Sequence, residues 1–110
     1  MKVHLIRKES IETYSVRHAP SRRSFNEWLL KIKYADWKIP EDIQMTFGAT
    51  DLLGNSSNRV IFNIGGNNYR MICKYWFGKT KVHLYIKWIG SHAEYDALCK
   101  DGRQYTIDSF

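Results

Sequence analysis

Acidic residues are missing from a long internal stretch of this chain: none occurs between Asp51 and Glu94. Residues 52–93 carry Arg59, Arg70, Lys74, Lys79, Lys81 and Lys87 with nothing to balance them. Elsewhere the two signs cancel, so this stretch holds the whole net charge of +6. A block of one sign threaded through alternating apolar sequence makes a surface that attracts a polyanion, nucleic acid first among candidates. Cysteine is scarce too. Cys73 and Cys99 stand alone, with no C-x-x-C pair, which argues against a zinc site or a disulfide framework and fits a reducing cytoplasm. No apolar run is long enough to cross a bilayer, and the apolar part of the N-terminal segment is too short for a secretory signal. A Gly-rich phosphate loop is also missing; Gly65-Gly66-Asn67-Asn68 is a turn signal.

What is present suits one folded domain over residues 1–110, with 44% hydrophobic and 15% aromatic residues. Lys2 to Ile6 reads as a first strand and Ser10 to His18 as a thin-faced helix. Pro20 and Ser21 suit the opening of a second helix, in which Phe25, Trp28, Leu29 and Ile32 fall at i, i+3, i+4 and i+7. Pro40, with Glu41 and Asp42 after it, marks another helix start, and Asp51 to Asn58 reads as a polar loop. From Arg59 the period changes to two. Residues 59–64 and 69–75 flank the Gly65–Asn68 turn as a hairpin, and a third strand covers residues 82–89.

Parity sorts the faces, because alternate strand side chains point opposite ways. Val60, Phe62, Ile64, Tyr69, Met71, Cys73, Val82, Leu84, Ile86 and Trp88 are expected against the helices. The other face takes Arg59, Asn63, Arg70, Lys74, Tyr85 and Lys87, with Ile61 and Ile72 between them. If Ile64 pairs with Tyr69 and Gly78 with Lys81, then Arg59, Lys74 and Tyr85 form one row. Ile61, Ile72 and Lys87 form the next, and Asn63 with Arg70 the third. A basic, polar face with an aromatic at its edge is a platform for RNA; the plainer reading is the solvated side of a one-sided sheet. Last, Ser91 and Glu94 have capping-box spacing, so a short helix should begin at His92, with Tyr95 on the same side.

RNA supplies its own nucleophile, the 2′-hydroxyl, so a protein that cleaves it needs a proton acceptor, a proton donor and cations around the phosphorane, but no metal and no cofactor. Histidine is the side chain whose ordinary pKa lies closest to neutral, and His92 is the one histidine placed between the basic strands and a helix start. It is a candidate for proton transfer, the plainer reading from spacing alone being a structural hydrogen bond near a helix start. Arg70, Arg59, Lys74 and Lys87 are candidates for the electrostatic role. Tyr95 could stack on a base, assist proton transfer or simply pack. Glu94 and Asp96 read most simply as cap and dipole partners.

The segments Ala35-Asp36-Trp37-Lys38, Asn58 to Ile64, Gly66-Asn67, Tyr69-Arg70 and Gly90-Ser91-His92-Ala93-Glu94-Tyr95-Asp96 resemble, in this order, the HigB toxins of the RelE-like superfamily. The resemblance runs from the first strand to about residue 98. It implies an α+β fold with two N-terminal helices on a small, mainly antiparallel sheet and a short C-terminal helix. It implies a toxin that cleaves mRNA on the ribosome and inhibits translation, and a HigA-like helix-turn-helix antitoxin as partner. Operator DNA would be met only through the toxin–antitoxin complex, and no membrane is involved. The motif histidine and tyrosine fall on His92 and Tyr95, the motif basic residues on Arg59 and Arg70. Members of the family often carry lysines in the hairpin turn, where this chain has Gly65 and Asn68. Residues 100–110 lie outside the resemblance and have no assigned role. The alternative from another class is a non-catalytic RNA- or ribosome-binding module using the same basic sheet.

Overall fold

A computed structural model describes residues 1–110. In chain order the elements are β1 (Lys2–Ile6), α1 (Lys8–Arg17), α2 (Arg22–Tyr34), α3 (Glu41–Phe47), β2 (Thr50–Leu53), β3 (Arg59–Ile64), β4 (Tyr69–Phe77), β5 (Lys81–Ser91) and α4 (His92–Lys100). The strands make one sheet in the order β1-β5-β4-β3-β2, antiparallel except where β1 lies beside β5. This is the expected α+β architecture. No helix is long and apolar enough to cross a membrane.

The main core lies between the helices and one face of the sheet. Ile11 of α1, Phe25, Trp28 and Ile32 of α2 and Ile43 of α3 pack on Val60, Phe62, Met71, Leu84 and Ile86. The helical spacing of α2 therefore does what it promised, turning one stripe inward and leaving Arg22, Arg23, Lys31 and Lys33 in solvent. Gly65 and Gly66 both have positive φ, 63° and 64°, which is why glycine stands at the hairpin turn between β3 and β4. That turn sets Ile64 against Tyr69 and Arg59 against Lys74.

Three features depart from the sequence reading. First, residues 51–58 are not all loop: Thr50–Leu53 is an edge strand paired with residues 59–62 of β3. The apolar residues Leu52 and Leu53 pack on the two sides of the sheet and hold that short strand in place. Second, β5 carries one residue more than β4 across their pairing. Cys73 faces Ile86 while Ile72 faces Trp88, and Lys87 is left without an opposite number. Such a bulge resets the alternation of faces. Trp88, expected in the core, turns to the outer face, and Ile89 takes the core position. The middle row is thus Ile61, Ile72 and Trp88, whereas the rows Arg59–Lys74–Tyr85 and Asn63–Arg70 stand as expected.

Third, the outer face is not simply solvated. Ile61 and Ile72 lie there at 1% and 0% exposure, beneath Leu98 of α4, with Leu53, Trp88, Tyr95 and Ile107 around them. Burying an isoleucine is worth about 1.5–3 kcal/mol, so two of them give the chain reason to fold back across this side. After α4 a 3₁₀ turn at Arg103–Tyr105 sends the tail over β3 and β5. The Ser109 N–H donates to the Lys87 carbonyl at 2.8 Å.

Two outcomes follow from this packing. Phe25 has no exposed surface, so Phe25→Ala should lower stability by about 3–5 kcal/mol, read as a fall in the urea midpoint. Asp42 accepts the N–H groups of Lys38 and Ile39 at 2.7 and 3.1 Å, and these bonds hold its carboxyl below the ordinary value of 3.8. A depressed folded-state pKa stabilises above the unfolded value, and the contribution disappears as pH falls through the depressed one. Asp42→Asn should accordingly be less stable than the wild type at neutral pH and lose less stability as pH falls below 4, so that the two converge in acid.

Candidate functional site

The site is built where β5 hands over to α4. Ser91 is the N-cap: its Oγ accepts the Glu94 N–H at 3.1 Å, and Glu94 Oε1 accepts the Ser91 N–H at 2.8 Å. This is the capping box read from the sequence, and it makes His92 the first helical residue. The His92 N–H donates to the Asn68 carbonyl at 3.0 Å, so the β3–β4 turn holds the helix start. Two positions before His92, at Gly90, any side chain would force the packing to shift. A Cβ on Gly90 would stand 2.4 Å from the Trp88 ring, which the bulge has turned to this side.

His92 Nδ1 lies 2.9 Å from Asp96 Oδ2, one helical turn on, and both side chains are part-exposed. A carboxylate this close to Nδ1 favours a proton on that nitrogen and leaves Nε2 on the other side of the ring from Asp96. Tyr95 lies on the covered side, its ring centroid 6.2 Å from that of Trp88. Burial first, then a hydrogen bond to Cys99 and the field of Asp51, push its phenol well above the ordinary value of 10, with Arg70 opposing. The phenol is therefore a hydrogen-bond donor at neutral pH and not a base. Arg70 sits opposite Gly90 and is 8% exposed; its Nη1 donates to the Tyr69 carbonyl at 3.1 Å and its Nη2 to Asn67 Oδ1 at 2.6 Å. Its charge is thus fixed in direction beside the helix that carries His92 and Tyr95.

The remaining sequence candidates do not share one surface. Arg59, expected to face solvent, is 5% exposed under the tail, where its Nη1 donates to the carbonyls of Gln104 and Ile107 at 3.2 and 2.7 Å. Burial lowers its pKa while Asp108 raises it, so the cation is held by carbonyl dipoles and one carboxylate. Lys87 is drawn to the same tail, with Nζ 3.3 Å from Asp108 Oδ2 and 5.6 Å from the Tyr85 ring centre. Lys74 is exposed and faces Tyr85 across the β4–β5 pair. Asn63 lies opposite Arg70 and borders a cleft of about 200 Å³ between α2, Thr50 and the Gly65–Gly66 turn. The structure thus brings together His92, Tyr95 and Arg70, leaves Lys74 exposed and Tyr85 half-buried, and covers Arg59 and Lys87.

Asp96 was read from the sequence as a dipole partner; its i, i+4 spacing from His92 was the signal that it reaches the imidazole. Asn67, which aims Arg70, carried no signal beyond its turn. Asp108 has none either, since it lies 21 residues from Lys87 in an aperiodic tail.

Because Arg59 pins the tail, Arg59→Met should leave two carbonyls without their donor and cost about 1–3 kcal/mol. Amide exchange at Ser109 should become markedly faster in the same variant, since its bond to Lys87 depends on the tail staying down.

Comparison with known proteins matches residues 21–98 to the family described as HigB toxin, RelE-like toxic component of a toxin-antitoxin system. The chain is 26% identical over 102 residues to the mRNA interferase HigB of Escherichia coli O6:H1 (strain CFT073), covering 93% of this chain and 97% of that one. It is 24% identical over 94 residues to the mRNA interferase toxin HigB of Escherichia coli K12, with 86% and 88% covered. The matched span contains the whole of the β3–β5 sheet, the capping box and the His92–Asp96 pair. With a family match over most of its length and the architecture that match implies, the chain belongs to the HigB family of RelE-like toxic components of toxin–antitoxin systems.

Proposed function

We propose that this chain is an mRNA endoribonuclease that acts on messages in the ribosome, arresting translation and growth as the toxic half of its pair. The observation that carries the reading is the His92–Asp96 pair on the first turn of α4, on the helix next to Arg70. The 2′-hydroxyl attacks the adjacent phosphorus, the 5′-oxygen leaves, and the products are a 2′,3′-cyclic phosphate and a 5′-hydroxyl. One proton must leave the attacking oxygen and one must reach the leaving oxygen. His92 Nε2 exchanges one of these, with Asp96 steadying the ring and the charge it takes on. Arg70 supplies fixed positive charge as the phosphorane forms. Tyr95, neutral throughout, donates a hydrogen bond or orients a base. Lys74, Tyr85 and Asn63 hold the RNA chain, while Arg59 and Lys87 serve it through the tail they fasten.

The partner is a HigA-like helix-turn-helix antitoxin in the cytoplasm, and operator DNA is reached only through the complex of the two. Primer extension on a message during induction reads the activity. His92→Ala should lose cleavage by at least about 100-fold at an unchanged urea midpoint, and Asp96→Asn should lose less. Tyr95→Phe should share the alkaline limb of the wild-type rate profile, because burial pushes the Tyr95 phenol well above its ordinary pKa. Full cleavage by His92→Ala would remove the assignment.

A further inference from the structure

The tail and α4 cover only half of the outer face. Beyond Tyr85, towards the start of β5, the sheet is open, and what it presents is aromatic and cationic. Trp76 pairs with His83, and His83 with His4, so three ring side chains cross β4, β5 and β1 in one row. Trp76 is 61% exposed, although its strand neighbours Tyr75 and Phe77 pack against the main core. The next row along is Lys74, Tyr85 and Ile6. His83 and Tyr85 lie nearly parallel, 25° between planes and 6.4 Å between centroids, and His4 meets His83 edge-on at 5.9 Å.

The charge here is as one-sided as the aromatics. Lys2 and Lys81 stand directly opposite each other on neighbouring strands. Like charges in that position repel, and Asp36, which lies beside Lys2, already binds the Met1 amino group. An anion laid across the pair relieves this. Lys74 and Lys79 are likewise exposed and without an ion-pair partner.

We propose that this open half, with Trp76, His83 and Tyr85 as stacking faces and Lys2, Lys74 and Lys81 as phosphate contacts, binds a single-stranded stretch of the RNA substrate away from the cleaved bond. The inference rests on the reading of the chain as an RNA enzyme and adds to it a second, non-reacting contact. Trp76 is exposed and His83 and Tyr85 are half-buried, so each keeps ring surface for an unstacked base, which a duplex does not offer, with little regard to sequence. A protein partner would need acceptor carboxylates for these lysines and more apolar surface than one tryptophan gives. A polyanion with flat bases satisfies both parts of the face at once.

The test uses the full chain and a fluorescein-labelled 2′-O-methyl RNA of about a dozen nucleotides, uncleavable because its attacking hydroxyl is blocked. Anisotropy should show Trp76→Ala binding about five-fold or more weakly, Trp76→Phe within about two-fold of wild type, and both with the wild-type salt slope. The double variant Lys2→Ala, Lys81→Ala should instead flatten the slope by about one unit or more. Trp76 is exposed, and an unchanged urea midpoint would confirm that its loss leaves the fold intact; His83→Ala gives an independent variant on the same row. Wild-type affinity in both Trp76→Ala and His83→Ala overturns the proposal, as does failure of the wild-type chain to bind the oligonucleotide. So does an effect of Trp76→Ala confined to antitoxin binding. Because the probe cannot be cut, the result is separate from the His92 test: catalysis can fail while this contact stands, and the reverse.

Discussion

Lys87 has no partner across β4: Ile72 meets Trp88 and Cys73 meets Ile86. That one extra residue rotates everything after it by half a period, and the end of the molecule is arranged around the result. Trp88 goes to the outer face and Ile89 to the core. Gly90 suits its place because the displaced indole occupies the space a Cβ would need. The strand then ends with Ser91 capping α4 on the outer side, where Leu98 and Tyr95 of that helix close over Ile61 and Ile72. Without the bulge, Trp88 would point at α2 and the isoleucines would face water, a loss of several kcal/mol by burial alone.

The six cations of the acid-free stretch meet three different ends. Arg59 and Lys87 are claimed by the tail, which brings the carboxylate of Asp108 from outside that stretch. Arg70 is aimed by Asn67 and stands beside the helix of His92 and Tyr95. Lys74, Lys79 and Lys81 stay in solvent. Charge is therefore fixed at Arg59, Arg70 and Lys87 and left mobile at Lys74, Lys79 and Lys81, which on the proposed mechanism separates a preorganised field from contacts that only hold a chain. The two ends of the outer face differ for that reason, although the sequence presents them as a single run.

Local signals were legible. The α2 stripe, the hairpin register set by two left-handed glycines, and the Ser91–Glu94 box each depend on residues a few positions apart, so spacing alone reveals them. The motif around His92 carried the family as well. What could not be read were relations between distant segments. A bulge is a count of two residues against one on another strand, and parity along β5 gives no sign of it. Burial of Arg59 depends on a tail that arrives 45 residues later and has no period of its own. The edge strand β2 was hidden in a stretch whose polar residues suggested a loop.

The sequence by itself determined the periodicities, the cap, the sign of the surface charge and the kind of chemistry that His92 can do, because each is a property of neighbours along the chain. The tertiary structure alone decided which cations remain free, which side Trp88 faces and which segment covers Arg59. Those outcomes rest on competition for buried space and for hydrogen-bond partners between segments far apart. Only when Ile61 and Ile72 had been covered was it settled that the acid-free stretch is half a locked site and half an open surface.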